Sequence, residues 1–312
     1  MQSVNEGKIT ILGSGLMGSG IALMGALHDH PVTLYDTQEK ALAQAIPSIR
    51  KNLELMAQSR NDLPETMDII LNRISLTSEL KDAVNGAEFI IECVPENMEL
   101  KQNLFKEIDM MCPLETILCT NTSVMSITEI ASKSVNRQRI VGTHFWNPPF
   151  LIPLVEIVPT VDTSAIVVER TFNLLVAIGK HPVRVNKDVP GFVANRLQHA
   201  LWREAISIVE RGIADAETVD ECVRYGFGLR LPILGPLENS DMVGTDLTFA
   251  IHSYILKHLE SSSEPSPLLQ EMMEDGSLGF KSGSGFFSWT REEISNSREK
   301  LVQYLLEQLE SR

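Results

Sequence analysis

Apolar positions in the first 190 or so residues come in short runs separated by helix-length segments. Lys8–Leu12, Pro31–Tyr35, Glu88–Val94, Thr116–Thr120, Ile140–Phe145, Pro153–Val158 and Pro182–Val185 have strand length. Leu16–Leu27 and roughly Ser164–Ile178 have helical spacing. This alternation predicts an α/β fold: a doubly wound, Rossmann-type parallel sheet with helices on both faces. The stretch 37–73 is too long for one crossover helix and predicts a two-helix hairpin broken near Asn61–Pro64. Beyond Asn186–Pro190 helical periods take over, at Phe192–Arg211, Ala216–Tyr225 and Met242–Leu259. The organisation expected is therefore a domain over 1–188, with the hairpin at 37–73, followed by a smaller all-helical domain over 189–312.

The turn between the first strand and first helix carries chemistry. Gly13-Ser14-Gly15-Leu16-Met17-Gly18 fits G-x-G-x-x-G, in the strand–turn–helix context that gives that pattern its meaning. Gly13 permits the tight turn, Gly15 removes a Cβ where a pyrophosphate must approach, and Gly18 allows close helix–sheet packing. The helix N-terminus offers N–H groups and partial positive charge to the phosphates. Asp36 ends the second strand, where a carboxylate accepts hydrogen bonds from ribose hydroxyls and repels a 2′-phosphate. Gly13, Gly15, Leu16, Met17, Gly18 and Asp36 thus form a candidate cofactor set for NAD rather than NADP.

Composition narrows the partners. The 312 residues exceed the ~100–200 usual for one domain. A formal charge of −14 disfavours nucleic acid and anionic membranes, so an anionic ligand must be held by local groups. No apolar run approaches a membrane span, and the first residues lack the pattern of a signal peptide. Cys93, Cys112, Cys119 and Cys222 form no C-x-x-C pair; reduced thiols, a cytoplasmic location and no metal site are expected. The expected partner is a small-molecule substrate.

An acid/base pair is also present. His144 lies near the end of the strand Ile140–Phe145, and ligands of doubly wound sheets sit outside the carboxyl ends of strands. Glu156 interrupts the apolar run Leu154–Val158, where a lone carboxylate is expensive to bury unless paired. Pairing with His144 would meet that cost and set the imidazole tautomer. Spacing alone equally allows His144 to end a strand while Glu156 points to solvent. Asn121-Thr122-Ser123 ends another strand, and Asn195 opens the second domain's first helix. Ser123 can be a substrate contact or a helix cap, and Asn195 a substrate contact or a boundary hydrogen-bonder.

As a set, GSGLMGSG (13–20), Asp36, PENMELK (95–101), TNTS (120–123), HFWNPP (144–149), PLVEIV (153–158), KDVPGFVANR (187–196) and KSGSGFF (281–287) resemble the 3-hydroxyacyl-CoA dehydrogenase family over nearly the whole chain. The resemblance implies that His144 is the general base and Glu156 orients it. It implies that Ser123 and Asn195 contact the reacting oxygen and acyl end, that Asn147 lines the site, and that Glu96, Lys101 and Asn121 lie on the cofactor side. It further implies NAD, interconversion of an L-3-hydroxyacyl group such as 3-hydroxybutyryl-CoA with its 3-oxo form, and a homodimer formed through the helical domain, which also helps close the cleft.

Two features depart from the acyl-CoA pattern. The first hairpin helix carries only Lys40, Arg50, Lys51 and Arg60 as basic residues, and its phosphate-binding lysine position falls near Ser59, with Arg60 as the candidate substitute. The Pro-rich segment Asn147–Pro153 is more similar to the branch with carnitine and gulonate dehydrogenases, lambda-crystallin and a pyridine-carboxylate dehydrogenase. A free hydroxy acid or small polar alcohol is therefore the alternative substrate class, and a non-catalytic crystallin-like NAD-binding protein a further reading. In β-hydroxyacid dehydrogenases a lysine stands four residues before the interdomain asparagine; here Gly191 occupies that place.

Overall fold

The structure is a computed structural model that describes residues 7–59 and 65–310. The expected hairpin break at Asn61–Pro64, and Arg60, lie outside the described residues. In chain order the first unit contains β1 (Ile9–Leu12), α1 (Leu16–Leu27), β2 (Val32–Tyr35), α2 (Glu39–Ser59), α3 (Met67–Asn72), β3 (Ile74–Thr77), α4 (Leu80–Val84), β4 (Phe89–Glu92), α5 (Met98–Met111), β5 (Ile117–Thr120), α6 (Ile127–Ile130), β6 (Ile140–Phe145), β7 (Leu154–Pro159), α7 (Ala165–Ala177) and β8 (His181–Arg184).

These strands make one sheet in the order β3-β2-β1-β4-β5-β6-β7-β8. The chain winds outward from β1 in one direction, then returns to β4 and winds in the other. The switch between β1 and β4 is where doubly wound sheets bind ligands. Residues of β1, β4, β5 and β6 are buried throughout, as expected for strands covered on both faces. Alternate side chains serve two cores. Phe89 and Ile91 join the cluster under α1, α2 and α7, whereas Ile90 joins that under α4, α5 and α6.

The sheet is mostly parallel, as expected, with two strand features the sequence pattern does not announce. β3 was not foreseen because its sequence, ISLT, buries only Ile74 and so carries no apolar run. β6 and β7 pair antiparallel. Only residues 146–153 connect them, and a parallel crossover needs a dozen or more. That hairpin sets His144 directly opposite Glu156.

The chain divides into a unit of 1–195 with 301–312, and a unit of 196–300. The second unit is helical: most of α8 (Ala194–Glu210), then α9 (Ala216–Tyr225), α10 (Pro236–Val243), α11 (Thr245–Ile255), α12 (Pro267–Glu274) and the start of α13 (Arg291–Glu310). The helical period expected over Met242–Leu259 is broken at Gly244, whose φ of 102° only glycine adopts readily. The last turns of α13 return to the first unit, where Leu306 packs into the core beneath α1. No residue from 208 to 300 is buried.

Candidate active site

The glycine turn has the geometry its sequence requires. Gly13 sits at φ +108°, and a Cβ there would lie 2.6 Å from the Cys93 carbonyl oxygen. At Gly18 a Cβ would overlap the Gly13 carbonyl. At Gly15 a Cβ would meet nothing within 4 Å among the described residues. The first and third glycines are therefore demanded by the protein itself, and the second leaves a space that a pyrophosphate fits. Leu16, exposed at the first turn of α1, and Met17, half-buried, flank that space.

Asp36 is held by its surroundings. One carboxylate oxygen accepts from the Ser14 amide and hydroxyl, both at 2.9 Å, and the other from the Gln38 amide at 3.0 Å. Ser14 is buried, and its carbonyl accepts from the Ser19 hydroxyl at 2.8 Å. The acidic group at the end of β2 is thus locked to the glycine turn.

Further along the carboxyl edge lies a charged network that sequence reasoning found only in part. Lys101 Nζ pairs with Glu92 at 2.6 Å and Glu96 at 3.3 Å. Lys101 and Glu92 are both buried, so the lysine is enclosed rather than presented at the surface. Glu92 also accepts from the Thr120 hydroxyl at 2.6 Å and the Val94 amide at 2.7 Å. Burial pushes Glu92 above the usual carboxylate range against the pull of Lys101. Glu96 accepts from the Thr122 hydroxyl and the Ser123 amide. Burial opposes its charge, but Thr122, Lys101 and Ser123 outweigh it and bring Glu96 below the usual range. Glu92 was missed, although a lone carboxylate inside FIIECV is the same signal that singled out Glu156.

The His144–Glu156 pair forms. Nδ1 of His144 lies 2.8 Å from Glu156 Oε2, and both side chains are buried. The other oxygen, Oε1, accepts the backbone N–H groups of Val193 (2.9 Å) and Ala194 (3.1 Å) at the start of α8. One carboxylate therefore orients the imidazole and satisfies a helix N-terminus. Burial alone would raise Glu156, but the bonds from His144, Ala194 and Val193 more than offset it and hold the group below the usual range. The approach to α8 is built from two left-handed residues, Gly191 (φ +75°) and Phe192 (φ +50°). Phe192 is buried with its ring 5.6 Å from that of His144, and Trp146 packs at 5.3 Å.

Asn195 donates from Nδ2 to the Ser123 carbonyl oxygen at 2.8 Å, which brings the two expected substrate contacts together. Ser123 itself is exposed. Asn147 is exposed at the start of the loop after β6, where its bond to Pro148 is cis. Asn121 accepts from the Phe145 amide at 2.8 Å, tying the end of β5 to that of β6. Asp188 accepts from the Ser126 hydroxyl and the Thr128 amide, both at 2.7 Å, an anchoring role not foreseen.

An oriented imidazole on β6, in the same sheet whose β1 leads into a dinucleotide turn, is the equipment of a dehydrogenase that moves a proton while a nicotinamide takes a hydride. The relatives agree. The family model described as 3-hydroxyacyl-CoA dehydrogenase, NAD binding domain, matches residues 8–189, and that of the C-terminal domain matches 191–289. The chain is 37% identical over 93% of its length to a 3-hydroxyadipyl-CoA dehydrogenase of Escherichia coli, spanning 60% of that longer protein. It is 34% identical to a 5-formyl-3-hydroxy-2-methylpyridine 4-carboxylate 5-dehydrogenase of Mesorhizobium japonicum, over 92% of both chains. A solved structure of a dehydrogenase of that pyridine type, described as an NAD+-dependent dismutase, superposes with a TM-score of 0.89 at 33% identity, over 96% of both chains. The chain belongs to the 3-hydroxyacyl-CoA dehydrogenase family and is an NAD-dependent oxidoreductase acting on a CH–OH group.

Proposed function

We propose that this chain interconverts an L-3-hydroxyacyl group, of the 3-hydroxybutyryl-CoA kind, with its 3-oxo form, using His144 as acid and base. The observation that carries the reading is the buried 2.8 Å bond from His144 Nδ1 to Glu156. With the proton of neutral imidazole on Nδ1, Nε2 is left as the acceptor. Nε2 takes the proton of the 3-hydroxyl, and in the reverse direction the imidazolium returns it to the developing alkoxide. Glu156 stabilises the charged ring, and the Val193 and Ala194 amides keep the carboxylate in place. Ser123 and Asn195 contact the reacting oxygen and the acyl end, and Asn147 lines the substrate side. Gly13, Gly15, Leu16, Met17 and Gly18 cradle the dinucleotide, Asp36 meets its ribose, and Glu96, Lys101 and Asn121 shape the nicotinamide side. Bound NAD supplies the hydride acceptor.

A free hydroxy acid is the second reading, because two observations favour it. The solved pyridine-carboxylate dehydrogenase superposes at a TM-score of 0.89, against 0.77 for the solved 3-hydroxybutyryl-CoA dehydrogenase of Escherichia coli. On α2, Arg50 is paired with Asp68 of α3 at 3.0 Å, which leaves Lys40 and Lys51 as the described basic side chains of that helix without such a pair. NADH consumption with acetoacetyl-CoA against free acetoacetate separates the readings, with NADH formation from 3-hydroxybutyrate, carnitine and gulonate as further arms. Turnover of the free acids alone refutes the CoA reading.

The chain acts as a cytoplasmic homodimer, with the helical unit as its interface. Helices α9 to α12 bury no residue, while Ile233, Leu237, Phe249 and Tyr254 are each more than 70% exposed. Apolar side chains exposed in this number are covered by a partner, and a second copy supplies a matching set. Sedimentation at micromolar concentration tests this, and a monomer refutes it.

A further inference from the structure

Lys180 is buried, and no carboxylate pairs with it among the described residues. Its place is set by the end of α7. Gly179, at φ +73°, donates to the Val176 carbonyl, and the Lys180 amide to that of Leu175, a glycine-terminated helix end that turns the lysine back towards the sheet. There Nζ donates to the carbonyl oxygens of Pro149 and, at 3.2 Å, Ile152. The next residue, His181, donates its amide to the Pro153 carbonyl at 2.9 Å. Three carbonyls of one short loop are thus held from the α7–β8 corner. The loop's own bonds are few: the Leu151 and Ile152 amides both donate to the Pro148 carbonyl. On its other side, Pro149 rests on α1 at Gly20, where a Cβ would come within 2.5 Å of the proline ring. This loop begins with Trp146, against the His144 ring, and Asn147.

A buried, uncompensated ammonium is expensive, and an apolar side chain of the same length would avoid the expense. We propose that Lys180 is a positioning residue for the reaction. It clamps the loop 147–153 so that Trp146 and Asn147 stand at a defined distance from His144, and substrate binding depends on that clamp. The proposal rests on the assignment of His144 as acid and base. Lys180 touches neither of the reacting partners in this account and acts only through the loop.

The test compares wild type, Lys180→Met and Lys180→Gln for KM and kcat with acetoacetyl-CoA, NADH affinity by fluorescence, Tm, and hydrogen exchange at Leu151 and Ile152. Lys180→Met should raise KM about tenfold, or about 1.4 kcal/mol, with kcat and NADH affinity within about twofold. Lys180→Gln, which keeps a donor, should fall between Met and wild type, and exchange at Leu151 and Ile152 should quicken. A folded Lys180→Met with wild-type KM overturns the proposal. So does a rise in KM with parallel losses of kcat, NADH affinity and Tm, which marks general structural damage. If Lys180→Met does not fold, Gly20→Ala presses on the same loop from α1 with the ammonium intact. A selective rise in KM then supports the clamp and a wild-type KM overturns it. If wild type turns over no candidate substrate, the catalytic assignment fails, while hydrogen exchange still reads the clamp.

Discussion

Replacing Glu156 by glutamine isolates the electrostatic half of the proposed acid/base device. The carboxylate has donors at both oxygens: His144 at Oε2, and the amides of Val193 and Ala194 at Oε1. An amide has one oxygen. If it keeps the two backbone donors, its NH2 faces Nδ1 and forces the ring proton onto Nε2, where the ring can no longer accept a proton. If it turns over, NH2 faces two N–H groups and the start of α8 loses its acceptor. The charge is lost in either case. Opposite charges about 4 Å apart interact by about 4 kcal/mol at an effective dielectric near 20. That stabilisation exists only once the ring is protonated, so most of it is removed from the barrier. The expected loss is roughly 10²- to 10³-fold in kcat. The assay is NADH formation at saturating cofactor with the best substrate found, alongside KM for NAD and Tm. NADH affinity should stay within about twofold, because the pair is not part of the dinucleotide cradle. A folded variant with kcat within about threefold of wild type would show that Glu156 does not support a charged His144.

Three further outcomes are expected. Gly15→Ala should keep its Tm, because a Cβ there meets nothing within 4 Å among the described residues, yet weaken NADH binding about tenfold or more by occupying the pyrophosphate's space; unchanged affinity by titration contradicts the cradle. Arg139→Ala should lower stability by roughly 3–5 kcal/mol in urea unfolding, since Arg139 and Asp109 form a buried pair at 2.8 Å and the guanidinium also ties Cys112 and Pro113 carbonyls; a loss under about 1 kcal/mol contradicts that role. Burial pushes Lys180 from 10.5 down to about 8. The unfolded chain then binds more protons between those values, so stability is lower below pH 8 and rises as pH passes through the window. The unfolding free energy of wild type minus that of Lys180→Met should grow by ~3 kcal/mol across it, and a difference that does not change with pH refutes the burial argument.

The local features were legible because each is written in a few adjacent residues. The glycine turn, Asp36 at the end of β2, and the apolar runs of the buried central strands follow from backbone sterics and burial on both faces. β3 escaped because an edge strand with one buried side chain has no apolar run, and the break at Gly244 because helical spacing continues on both sides of it. Glu92 carried a readable signal and was passed over. Lys180 carried none, since a lysine after a helix end is ordinarily a solvated partner for the helix dipole.

By itself the sequence determined a dinucleotide-binding α/β unit, its preference for NAD, and a histidine and a carboxylate whose spacing allowed a pair but equally allowed the carboxylate to face solvent. The tertiary structure decided how they pair. The short link after β6 forces an antiparallel hairpin, and its register sets His144 opposite Glu156. The amides that saturate Glu156 arrive from 37 and 38 residues away, through two left-handed residues at the start of α8. The carbonyls that hold Lys180 are similarly remote. Sequence spacing encodes which side chains share a helix face or a strand face. Contacts between elements depend on how the chain is wound, and the proposed proton-handling geometry is made of such contacts.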